Sequence, residues 1–88
     1  MTNPTITTEN DLYQFIEQLK AESEKHGASG LASELDDALH LGSSGLEILG
    51  AVRLAVINHA STIERLLGPS GKAQAKEVVA FVDRAFGR

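Results

Sequence analysis

The chain has no cysteine and no tryptophan, only two prolines, and aromatic side chains make up 5% of its 88 residues. Without cysteine there is no disulfide framework, no Cys-ligated zinc or iron–sulfur centre and no thiol nucleophile. That absence fits a reducing compartment, and a cytoplasmic protein is the expectation. Long apolar runs are missing too. The longest, Ile48 to Asn58, is interrupted by Arg53 and falls short of the roughly 18 residues that a membrane span needs. The opening residues Met1-Thr2-Asn3-Pro4-Thr5 supply neither the basic nor the apolar region of an export signal. No membrane partner is expected. Strand-like alternation, internal repeats and low-complexity tracts are also lacking.

Basic charge is scarce where a nucleic-acid binder would concentrate it. Residues 1–45 carry eight acids against Lys20 and Lys25, whereas residues 46–88 carry four acids against six Lys and Arg, for a total of −4. Each neutralised phosphate adds to nucleic-acid affinity, so an acidic half argues against such a partner. It offers instead a docking face for a protein with a basic surface, with Glu34, Asp36 and Asp37 as its centre.

What is present is helical periodicity punctuated by glycine. Residues 8–88 form one domain by length, preceded by a disordered tail over residues 1–7. Leu12, Phe15, Ile16 and Leu19 lie on one face of a first helix. Thr8 is positioned to cap it, with Asp11 completing a capping box, and Gly27 ends it. A second helix from about Gly30 to Leu41 turns Leu31, Leu35, Ala38 and Leu39 inward and Glu34, Asp36 and Asp37 outward, before Gly42.

Ser44 followed by Glu47 is an S-x-x-E capping box, from which a third helix is expected to run unbroken to Leu67. Gly68-Pro69-Ser70-Gly71 then breaks the chain, with Ser70 capping a fourth helix. That helix should bury Ala75, Val78, Val79, Val82, Ala85 and Phe86, with Phe81 on the flank. Short connectors between such helices predict an all-α fold, a four-helix antiparallel bundle-like domain with a long central third helix.

At 1.5 Å per residue the third helix would span roughly 34 Å against roughly 18 Å for the second, leaving its far end uncovered. It also has two apolar faces. Leu49, Val52, Val56, Ile63 and Leu67 form one of them, with His59 among them, whereas Leu46, Gly50, Leu54, Ile57 and Ser61 form the other. A helix apolar on both sides is either wrapped by its own domain or shared between subunits. The second face therefore predicts a homodimer, with small Gly50 and Ser61 allowing close approach.

Catalytic chemistry finds little support. His26 and His40 each end a predicted helix with an acid four residues earlier, Glu22 and Asp36, a placement that stabilises the imidazolium through the helix dipole. Neither has a second histidine one turn away, so no metal site and no cofactor are expected. Gly68-Pro69-Ser70-Gly71-Lys72-Ala73 lacks the glycine spacing, the hydroxyl residue after lysine and the preceding strand of a phosphate-binding loop.

The stretch Leu41-Gly42-Ser43-Ser44-Gly45-Leu46-Glu47 resembles the carrier-serine region of acyl carrier proteins. Ser43 replaces the family's Asp, Gly45 replaces its Leu, and Arg53 interrupts what would be an acidic helix. The resemblance implies phosphopantetheine attachment at Ser44. A helix-turn-helix reader of DNA is a further alternative, but its recognition helix would be the third, which offers only Arg53 and Arg65. A non-enzymatic protein–protein interaction module of adaptor, immunity or antitoxin-like kind, with a homodimer face and an acidic docking face, accounts for all of these features.

Overall fold

The computed structural model describes residues 6–41 and 45–87. Its first helix begins where the side chains dictate. The Thr8 hydroxyl accepts from the Asp11 backbone N–H at 3.1 Å, and the Asp11 carboxylate accepts from the Thr8 backbone N–H at 3.2 Å, closing the expected capping box. Thr7 strengthens it by donating from both its N–H and its hydroxyl to the same carboxylate oxygen. These donors, the Thr7 N–H foremost, hold Asp11 below the usual carboxylate range.

Helix α1, Glu9–Lys25, ends in a Schellman motif. Gly27 takes φ of 77°, its N–H donates to the Glu24 carbonyl, and the Ala28 N–H donates to the Ser23 carbonyl at 2.8 Å. Helix α2, Ser29–Leu39, follows almost at once. Lys20 on α1 donates to Asp36 on α2 at 2.7 Å, tying this first pair together.

Helix α3, Gly45–Asn58, is shorter than the sequence pattern predicts, and this is the main departure from it. The helix ends at Asn58, His59 takes φ of −116° and ψ of 25°, and α4, Ala60–Ala85, which itself breaks at Gly68, lies as a whole at 86° to α3. The expected unbroken run to Leu67 is thus interrupted at His59, although the His59 N–H still donates to the Ala55 carbonyl and the Ile63 N–H to the His59 carbonyl. No glycine or proline marks the break, and Val56 and Ile63, which flank it, both reach the core.

Within α4 the expected interruption is present. Gly68 sits at φ of 74° and ψ of −165°, dividing the element into arms over residues 60–67 and 69–85. Pro69 opens the second arm, where its missing N–H costs nothing. Ser70 does not cap that arm as expected. Its hydroxyl donates backwards to the Leu67 carbonyl at 3.2 Å, satisfying the end of the first arm.

The four helices form an all-α helical bundle in which each packs against its chain neighbour and α1 also meets α4. Among the described residues there is no strand. The core comprises Leu12, Phe15, Ile16 and Leu19 of α1, Leu31 and Leu35 of α2, Leu49, Val52 and Val56 of α3, and Ile63, Val78 and Val82 of α4. Of the residues expected inward on α4, Val79 and Phe86 are half-buried and Ala85 is exposed. Ile6 also joins the core, although it precedes the first cap.

The radius of gyration, 11.9 Å, matches the roughly 12 Å expected for a single folded domain of this length. One chain therefore closes its own core. No single helix among the described residues is long and apolar enough to cross a membrane.

Candidate interaction surface

Helix α3 contributes Leu49, Val52, Ala55 and Val56 to the core. Residues between them in the period must point elsewhere, and they are apolar as well. Leu46 is 53% exposed, Leu54 57% and Ile57 45%. Three large aliphatic side chains thus stand in solvent on one helix, an arrangement that scattered surface hydrophobics do not produce.

The remaining members of the face predicted from sequence are placed differently. Gly50 is half-covered from within: a Cβ built there would meet the Phe86 ring at 3.6 Å. The close approach expected of a second subunit at Gly50 is made by the chain's own C-terminal aromatic. Ser61 lies past the break, in the first turn of α4, and is exposed.

The acidic residues Glu34, Asp36 and Asp37 do not form one open patch. Asp36 is engaged by Lys20, which lowers its pKa through the hydrogen bond and raises that of Lys20. The His40 ring, 3.5 Å from the same carboxylate, adds to the lowering. Glu34, expected in solvent, is half-buried and directs its carboxylate at His59, with Oε2 3.5 Å from Nε2. That oxygen is shielded from water without a hydrogen bond of good geometry. Only Asp37 stands exposed.

His59 therefore belongs neither to an apolar core nor to the outer face of α3. It sits at the helix junction and ties that junction to α2. A similar tie joins α3 to α4, where Arg53 Nε donates to Asp83 at 2.8 Å. Neither connection has a local sequence signature, since the partners lie 25 and 30 residues apart. His26, in contrast, meets Glu22 at 3.3 Å as its spacing predicts.

One feature was located by no sequence reasoning. Between α3 and the second arm of α4 lies an apolar groove of about 300 Å³, lined by Val56 and Ile57 of α3 and by Ala60, Ala75 and Val79 of α4. Lys72 and Lys76 stand at its edge. Ile57 belongs to both surfaces, so the groove continues the exposed face of α3. The signal that could have revealed it was the pair of lysines one turn apart beside the Ala75 and Val79 stripe, but only the tertiary fold brings α3 against them.

Ser44, with the adjoining Gly42 and Ser43, lies outside the described residues, and so does the capping box assigned to it. Among the described residues no three His, Asp or Glu side chains converge as a metal site. Comparison with known proteins returns no match from family models, curated proteins or solved structures, so the chain's role must be argued from its own surface.

Proposed function

We propose that this chain is a small non-enzymatic interaction module of adaptor, immunity or antitoxin-like kind, acting in the cytoplasm and pairing with a second copy of itself through the outer face of α3. The observation that carries the reading is the exposure of Leu46, Leu54 and Ile57 along a helix whose other side is core. Burying such side chains against a partner gains roughly 25 cal/mol per Å² of apolar surface. Two-fold pairing sets the same patch against itself, so one contact covers the exposed leucines of both subunits.

Arg53, the one cation on α3, is bonded to Asp83, which favours an apolar protein contact over a phosphate backbone on this helix. Because the core closes within one chain, the partners in this reading are folded subunits rather than halves of a shared core. The acidic side of α2, led by Asp37, then remains open to a protein with a basic surface, and such a contact is steered by charge and weakened by salt.

Substituting both Leu46→Glu and Leu54→Glu tests the proposal. Like charges would face each other across the two-fold, and the variant should sediment as a monomer with the helical circular dichroism of the unmodified chain. Loss of helix in that variant would place the two leucines in the core and overturn the reading. Intact mass after bacterial expression separates it from the carrier alternative: a phosphopantetheine adduct on Ser44 would contradict a plain interaction module.

A further inference from the structure

The groove between α3 and α4 has a composition that restricts its occupant. Its floor, Val56, Ile57, Ala60, Ala75 and Val79, is entirely aliphatic. No aromatic ring is available for stacking and no hydroxyl or amide side chain for orienting a polar ligand. At about 300 Å³ the space lies at the lower end of small-molecule sites. An unbranched, unfunctionalised hydrocarbon fits such a surface, and a planar heteroaromatic or a sugar would leave its polar groups without partners.

The edge of the groove is charged. Lys72 and Lys76 lie four residues apart on α4, one helical turn, and so share a face. Among the described residues neither takes part in an ion pair or hydrogen bond. Like charges at this spacing repel each other and destabilise a helix. A single anion between them relieves that repulsion. In a chain of net charge −4, this is a local cationic site next to an apolar wall.

We propose that the groove binds a free long-chain alkyl carboxylate, its hydrocarbon along Val56, Ile57, Ala60, Ala75 and Val79 and its head between the Lys72 and Lys76 ammonium groups. The mouth presents two compact point charges and no guanidinium fork, which suits a small, singly charged head. Binding is non-covalent and fully reversible. The groove is complete within one chain, and of the face proposed for pairing it shares only Ile57.

Calorimetric titration of the full chain with octanoate, decanoate and dodecanoate, each kept below its micellar concentration, tests the assignment. The expected result is one saturable site whose affinity rises about twofold to fourfold with each added methylene. Decyltrimethylammonium, with an equal chain and opposite charge, should bind more weakly than decanoate. Replacing Lys72→Gln and Lys76→Gln together should weaken decanoate binding about fivefold and leave the dependence on chain length intact.

Ala60→Trp, at the most exposed of the aliphatic positions lining the groove besides Ile57, should fill it and abolish binding, with circular dichroism showing the helices retained. Leu54→Glu, which removes the proposed self-association contact, should bind decanoate as the unmodified chain does. The proposal is overturned by the absence of a saturable site, by equal affinity for the cationic amphiphile, by affinity independent of chain length, or by indifference to the lysine pair.

Discussion

Replacing Gly71 by alanine adds one methyl group where the bundle has no space for it. A Cβ on Gly71 would overlap the Leu67 Cβ, an atom fixed directly to the backbone that cannot rotate aside as the tip of a side chain can. In an open helix the same substitution gains up to about 1 kcal/mol from helix propensity. Here overpacking opposes that gain with about 2–3 kcal/mol, the upper part of the usual range, because the arm over residues 69–85 must shift relative to Leu67.

The net effect is a loss of about 1–2 kcal/mol, which lowers Tm by about 4–16 °C in a domain of this size. Gly50→Ala is the matched control. Its added Cβ would meet the Phe86 ring at 3.6 Å, an ordinary van der Waals contact, so this variant should be stabilised by up to about 1 kcal/mol. Thermal unfolding followed by far-ultraviolet circular dichroism reads both. A Gly71→Ala protein as stable as the unmodified chain would refute the close approach of the two arms of α4.

Val56→Asp places a carboxylate against Leu49, Val52 and Ile63 of the core and should unfold the chain, visible as loss of helical dichroism. Glu34→Lys should cost about 1 kcal/mol more than Asp37→Lys in urea unfolding, since Glu34 faces His59 while Asp37 faces solvent; equal costs would contradict the tie between α2 and the helix junction. The Lys20–Asp36 bond makes stability depend on pH at both extremes. Asp36, with its pKa lowered, contributes fully above about pH 4 and less as pH falls through its folded value. Lys20, with its pKa raised, contributes fully below about pH 10 and less as pH rises through its folded value. Asp36→Asn should therefore flatten the acid limb of a stability profile from urea titrations, and Lys20→Met the alkaline limb.

Helix α1 was legible almost in full because its determinants are local. Thr8 and Asp11 are three residues apart, the apolar face repeats within two turns, and Gly27 supplies a positive φ where the helix must stop. The end of α3 was not legible, and the reason is physical. Apolar residues continue through Asn58 and His59 with helical spacing, and no glycine or proline interrupts them. The break at His59 has no local breaker, and Val56 and Ile63 on either side of it are both buried in the core.

Contacts between residues far apart in the chain were hidden for the same reason. His59 meets the Glu34 carboxylate of α2, and Val56 and Ile57 come against Ala75 and Val79 of the second arm of α4 to form a groove. Leu46, Leu54 and Ile57 were readable as a second apolar face because each lies on α3 within the reach of a helical repeat. Gly50 shows the limit of that reading. Its small size was visible, but the aromatic that makes use of it, Phe86, lies 36 residues further along the chain.

The claim that rests on all of this is that α3 presents its outer face to a second copy of the chain. Sedimentation equilibrium of the unmodified protein, from low to high micromolar concentration, measures it without any substitution. The account predicts a mass that rises from that of one 9.4 kDa chain toward twice that value as concentration increases. A single chain mass throughout the range would contradict it.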